Sequence, residues 1–248
     1  RKAFEDAGYL IVSDIKDRAL LNLAEFGVPQ KRTRVILFGI KKAFVKNIQE
    51  AKLLLDKFYN TLESTKEPTK SVEDAIGDLP DIFPLDNRSQ HHSLRKSHFC
   101  EGDFRNHVPR FHNPRDIRIF RELAEDIESG NMAFVSAESL KKLYTLRTGK
   151  ISSVHKYYVL RRDEPSNVIP AHLHKDGLRH VHYDSKQARS ITVREAARLQ
   201  TFDDDFEFMG SMGDQYKMIG NAVPPYFSRK LALVLEKLFL KSQNRNGF

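Results

Sequence analysis

Between Ser190 and Lys241 the chain reads SITVREAARLQTFDDDFEFMGSMGDQYKMIGNAVPPYFSRKLALVLEKLFLK, and this stretch limits the accessible folds more than any other. Thr192 with Glu195 three residues on forms a capping box. Hydroxyl and carboxylate each satisfy a free amide at a helix start, so a short helix is expected through about Gln200. Ser211 to Met218 makes a further helical turn, and Gly220 is expected to leave it in a left-handed conformation. Pro224 and Pro225 then open a helix whose Phe227, Leu231, Val234, Leu235 and Leu238 share one face. The joint Gly-Asn-Ala-Val-Pro-Pro places the Asn221 amide at a helix entrance, where it could hold a carboxylate or a catalytic loop. The plainer reading is a helix–turn–helix joint in which Asn221 only caps.

Composition sets the class. Forty per cent hydrophobic and 10 per cent aromatic residues in 248 fit a globular chain with one good core or two modest ones. No run of 18 apolar residues occurs and the start, Arg1-Lys2-Ala3-Phe4-Glu5-Asp6, has no signal-peptide core. No membrane partner and a cytoplasmic location are therefore expected. Lys and Arg number 41 against 33 acids, a net charge of +8 with a pI near 9.4, which favours a polyanionic partner. A single cysteine, Cys100, excludes an internal disulfide framework and any multi-thiolate metal site. His91, His98 and Cys100 lack paired ligand spacing, so no metal is expected.

In chain order, Arg1 to Ala7 reads as the second half of an amphipathic helix ended by Gly8, as in a piece cut from a longer chain. Tyr9 to Ile15 favours a strand and Leu20 to Phe26 a short helix. Val35 to Ile40, a continuous apolar run, is expected as a strand covered on both faces of an α/β sheet. A helix should occupy Val45 to Leu62, a polar linker Glu63 to Lys70, and a capped helical turn begins at Ser71. All ten histidines and many arginines lie between Asp81 and Arg189. Here Asn113-Pro114 starts a helix to Ser129 and Ser136 caps another to about Tyr144, leaving Thr145 to Lys150 as a basic loop. Lys156 to Leu160, Asn167 to His172 and Leu178 to His182 read as short strands.

Three segments carry a family likeness. Gln30-Lys31-Arg32-Thr33-Arg34, Arg194 to Phe202 and Gln215 to Pro225 resemble, in order, signature blocks of the DNA cytosine-5 methyltransferases. The resemblance spans the whole chain, its middle loosely. It implies an α/β fold: the C-terminal part of a Rossmann-like S-adenosylmethionine-dependent methyltransferase domain plus a smaller mixed α+β target-recognition domain. On this reading residues 1–78 end the catalytic domain, 79–189 recognise DNA, and 190–248 return to complete the cofactor pocket.

The implied reaction moves a methyl group from S-adenosylmethionine to carbon 5 of a cytosine flipped out of double-stranded DNA. In the family a cysteine thiolate adds to carbon 6, a glutamic acid serves the ring nitrogen, and an arginine holds the base. The resemblance puts that arginine at Arg34, with Arg32 in support and Gln30 shaping the pocket or touching DNA. It also brings Asn221, Ala222 and Val223 to the methionine part of the cofactor. Arginines before a strand are otherwise ordinary solvated charges. Arg147, Lys150, Lys156, Arg161, Arg162, His172 and Arg179 are the candidate DNA contacts, since cationic and short polar side chains meet phosphates and base edges. Arg194, Glu195 and Arg198 are expected in buried pairs between domains.

Departures qualify the likeness. The family's Pro-Cys nucleophile, Glu-Asn-Val carboxylate and Gly-rich cofactor loop do not occur here, and Cys100 follows Phe99. Ala222 stands where serine is common, and Asp203 where proline usually follows Phe202. The chain is thus expected to be the C-terminal fragment of a bacterial or phage enzyme, inactive by itself and monomeric when complete. Its partners are the missing N-terminal half and, in a restriction–modification system, a cognate endonuclease. Two other readings stay open: a non-catalytic or split-subunit DNA-binding module, and an RNA methyltransferase.

Overall fold

The computed structural model describes residues 1–85, 96–175 and 177–243, with side chains through 239. The described elements begin with α1 (Lys2–Asp6), β1 (Tyr9–Leu10), α2 (Ile15–Arg18), β2 (Leu20–Asn22), β3 (Thr33–Val35) and β4 (Ile40–Lys41). They continue through α3 (Ile48–Glu63), α4 (Val72–Ile76), β5 (Ile82–Pro84), β6 (His98–Cys100), α5 (Pro114–Glu128) and α6 (Ala137–Thr148). The chain ends with α7 (Val193–Leu199), α8 (Met212–Asn221) and α9 (Pro225–Gln243). His91, proposed with His98 and Cys100 as a ligand candidate, lies outside the described residues.

Helix starts follow the capping chemistry of the sequence. The Asn47, Ser71, Asn113, Ser136, Thr192 and Ser211 side chains each accept from an amide in the first turn, and the boxes at Ser71–Asp74 and Thr192–Glu195 are reciprocal. The expected helix at Leu20 to Phe26 is instead β2 followed by one 3-10 turn, Leu23–Phe26, because Asn22 accepts from Ala24 N and Gly27 closes the turn at φ 82°. Helix α6 runs on to Thr148, so Arg147 lies in its last turn rather than in a loop. Instead of strands, 3-10 turns occupy Ala171–His174 and Gly177–Arg179, while Val159, Val181 and Ser190 meet as isolated bridges.

Strand pairing is antiparallel throughout the named strands: β1 with β4, β2 with β3, and β5 with β6. The apolar run Val35 to Ile40 is therefore not one strand covered on both faces. Tyr59 Oη donates to Ile36 O and accepts from Phe38 N, taking up the backbone between β3 and β4. Ile36, Phe38 and Ile40 turn toward the core, whereas Val35 is 52% exposed and Leu37 37%.

Among the described residues, three hydrophobic clusters hold the chain. In the first, the early strands and α3 pack with α9, where Phe26 and Phe227 meet edge to face at 5.4 Å. Burying Phe227 completely contributes about 1.5–3 kcal/mol. The second joins α4 and Leu160, Ile169 and Leu173 to α7 and α8; the expected boundary at 189/190 thus runs beside a shared core. The third contains α5, α6, Tyr157, Val159, Val181 and Ala188.

Gly220 differs from its expectation. It lies inside α8 and is absent from the positive-φ glycines. A Cβ there would stand 2.3 Å from the Pro170 carbonyl carbon and 2.4 Å from Ala171 N, so close approach of two backbones, not a left-handed turn, demands glycine. The chain leaves α8 at Ala222 in extended conformation, φ −70° and ψ 149°.

Candidate active site

Segment 30–34 enters β3 pinned on both sides. Leu23 N donates to Arg32 O at 2.9 Å, and Lys31 N to Ser166 O at 2.8 Å. Fixed there, Gln30 and Arg32 turn inward. Gln30 has no exposed surface: its amide nitrogen donates to Leu199 O (3.3 Å) and Gln200 Oε1 (2.7 Å), and its oxygen accepts from Ile169 N (3.1 Å). A DNA contact for Gln30 is excluded by this burial; the side chain is a scaffold tie.

Arg32, 4% exposed, spreads its guanidinium over carbonyls. One terminal nitrogen donates to Gln30 Oε1 and Ile169 O, each at 3.2 Å. The other reaches Gly220 O at 3.3 Å and Ala222 O at 3.4 Å. Burial, assisted by the neighbouring Arg34 charge, pulls its pKa down to about 10, so it stays cationic at neutral pH and suits a ring of carbonyl dipoles. Arg34, two residues on along β3, stays exposed, with Nη1 bonded to the Thr33 carbonyl at 2.7 Å. Segment 30–34 and the turn after α8 are therefore in direct contact, and one arginine of the block stays exposed beside that contact.

On the turn, Asn221 and Val223 are exposed and Ala222 half-buried. The Ala222 carbonyl faces inward, accepting from Arg32 and, at 2.7 Å, from Gln200 Nε2. The entrance of α9 offers little to a carboxylate, contrary to the expectation. Pro224 and Pro225 carry no N–H, and Tyr226 N is bonded to Thr201 Oγ1 at 3.1 Å.

Arg189 and Glu195, each with a side chain 1% exposed, form two bonds of 2.7 Å. Burial alone would raise the Glu195 pKa, but the Arg189 charge and bonds prevail and hold it well below the carboxylate range. Arg194 donates to Arg105 O, Asp203 O and Phe206 O, and Arg198 grips Asp204 through two bonds as well as Asp78. Within the acidic run after Phe202, the Asp204 carboxylate is thus held by α7, while that of Asp203 lies 3.8 Å from Arg229 of α9. Gln200 and Arg189 were not singled out from sequence. Gln200 reads there as a helix end inside the Arg194–Phe202 block, with no role of its own, and the i, i+6 pairing of Arg189 has no periodic signal.

The basic residues of the recognition region are differently placed. Arg147 forms two bonds to Glu122 (2.8 and 3.1 Å) across α5 and α6. Arg162 lies 4.9 Å over the Tyr183 ring with Glu73 at 3.7 Å; Arg161 reaches Met132 Sδ, and Arg179 meets His155 Nε2 at 2.9 Å. Lys150 and His172 are exposed and Lys156 half-buried. Cys100, on β6, lines a cavity of about 560 Å³ together with His98, Phe104 and His107; none of the residues lining it belongs to segment 30–34 or the turn. Among the described residues no group of three or more His, Cys, Asp or Glu could hold a metal ion, and no helix is long and apolar enough to cross a membrane.

With that geometry in hand, residues 1–237 match the family model described as C-5 cytosine-specific DNA methylase. The chain belongs to that family. Among its relatives, the type II methyltransferase M.Bpa9945I of Bacillus paralicheniformis is 32% identical over 94% of this chain and 54% of its own length. The type II methyltransferase M.PspPI of a Psychrobacter species is 30% identical over 98% and 49%. The chain spans about half the length of these curated relatives. A solved E. coli structure described as a prophage-encoded DNA modification methyltransferase matches 96% of this chain and 64% of its own, at a TM-score of 0.56 and 20% identity, which shows a shared fold.

Proposed function

We propose that this chain is the C-terminal part of a DNA cytosine-5 methyltransferase of a restriction–modification system. It would contribute Arg34 and the 221–223 turn to an active centre whose nucleophile comes from the remaining half. The observation that carries this reading is Arg32. By bonding Gly220 O and Ala222 O it fixes segment 30–34 against the turn, so the two family blocks serve one place.

A second observation supports the missing half. Leu20 and Val35 are paired across β2 and β3, and both are exposed (44% and 52%), as is Leu37. These side chains form the face opposite the core, where further segments of an α/β domain would pack.

S-adenosylmethionine fits the turn as the family uses it: exposed Asn221 and Val223 flank Ala222, whose carbonyl is turned away into the protein. When bound, the cofactor would supply the methyl group. Arg34, exposed and bonded through Nη1 to the Thr33 carbonyl, would donate to the carbonyl oxygen of the extruded cytosine and stabilise charge developing on the ring. Arg147, Lys150, Lys156, Arg161, Arg162, His172 and Arg179 would engage duplex phosphates and base edges. Residues 79–189 would form the recognition region.

The test uses the complete enzyme with labelled S-adenosylmethionine and duplex DNA. Arg34→Ala should lower turnover about 100-fold or more while duplex affinity stays within a few-fold. Unchanged turnover would remove Arg34 from the site. Labelling of tRNA with none of duplex DNA would replace the substrate class.

A further inference from the structure

We propose that Gln200 is a positioning residue for the cofactor turn, an inference that rests on the functional reading above. Gln200 has no exposed surface and ends α7. Its side chain uses both halves of the amide. The oxygen accepts from Gln30 Nε2 at 2.7 Å, and the nitrogen donates to Ala222 O at 2.7 Å. Arg32 bonds the same carbonyl at the longer distance of 3.4 Å.

The next residue reaches the far side of the turn. Thr201 has φ 68°, a conformation that β-branched residues rarely adopt, and its hydroxyl accepts from Tyr226 N at 3.1 Å. Residues 200 and 201 therefore bracket the turn: one holds its carbonyl at 222, the other the first turn of α9. Such a backbone outlier persists only where its surroundings over-determine it, and here the Thr201 hydroxyl is tied to Tyr226 N, three residues past the proposed cofactor residues.

The chemistry of the bracket is directional. Because Ala222 O is drawn inward by Gln200, the Asn221 and Val223 side chains are presented outward. Without that bond the Ala222 carbonyl keeps only the longer contact from Arg32, and the cofactor would meet a turn of more variable shape. The cost should fall on cofactor binding rather than on DNA binding or on the chemical step, since Gln200 touches neither.

In the complete enzyme, Gln200→Glu keeps an acceptor for Gln30 and loses the donor to Ala222. Gln200→Met keeps the volume without introducing a buried charge, and covers the case in which the carboxylate prevents folding. Both should raise the KM for S-adenosylmethionine about 10-fold, as loss of one buried hydrogen bond does, with kcat and duplex affinity within about two-fold. An unchanged KM for the cofactor in a folded variant would overturn the proposal. So would equal losses of cofactor affinity, duplex affinity and melting temperature, which mark a merely structural residue. Failure of the wild-type enzyme to bind S-adenosylmethionine would overturn the functional reading and this inference with it.

Discussion

Two polar regions of the molecule are built on opposite principles. Around residues 30–34, 200 and 220–222, buried side chains bond main-chain carbonyls: Arg32 to Ile169, Gly220 and Ala222, Gln30 to Leu199, Gln200 to Ala222. Across residues 147–179 the cations are mostly exposed, and where they are held, the partner is another surface side chain such as Glu122 or His155. Buried bonds to the main chain fix a shape, because losing one strands a polar group away from water. Exposed pairs can be exchanged for phosphates at little cost. The first region is suited to positioning and the second to an exchangeable polyanion.

The largest expected effect lies in the first. Arg32→Met leaves the Ile169, Gly220 and Ala222 carbonyls and Gln30 Oε1 without their shared donor, and should cost about 3–5 kcal/mol, read as a lower urea midpoint of the complete enzyme. A loss under about 1 kcal/mol would show that the carbonyls reach water and that the contrast is false.

Acid should have an effect of similar size. Burial lowers the pKa of His112 and His182 to about 3 and of His180 to about 4. Their unfolded values lie near 6.5, so below that pH the unfolded chain binds more protons and stability falls. The slope is about 1.4 kcal/mol per pH unit per histidine until the folded values are approached. Glu195, held low by Arg189, adds stability that is present above the ordinary carboxylate range and lost below it. Thermal midpoints should therefore drop steadily from pH 6.5 to 5, and a flat profile would contradict the buried, neutral state of these rings.

The smallest stability effect belongs to the second region. Arg147→Ala, despite two bonds to Glu122, should change stability by less than about 1 kcal/mol. It should instead lower the slope of log affinity for duplex DNA against log salt by about one. A large stability loss with no change in slope would make Arg147 structural.

Much of the frame was legible from local chemistry. Capping at Ser71, Asn113, Ser136 and Thr192, and the apolar face of α9, depend on neighbours in sequence, and the structure forms them. What was misread depends on distant segments. Gly220 looked like a helix stop because nothing local reveals that Pro170 and Ala171 cross it. Val35 to Ile40 looked doubly covered because hydrophobicity does not say which cover is present. Within the site, the residue types of 30–34 and 220–223 were readable, but the inward turn of Gln30 and the part of Gln200 arise from contacts across about 170 positions.

The central claim is that segment 30–34 and the turn after α8 form one wall of a cytosine-methylating centre. The most direct measurement is a structure of the complete enzyme trapped on duplex DNA carrying 5-fluorocytosine. The account predicts the Arg34 guanidinium within about 3.2 Å of the carbonyl oxygen of the extruded base, with residues 221–223 against the cofactor. Arg34 facing a phosphate or open solvent, with the base lodged elsewhere, would contradict it.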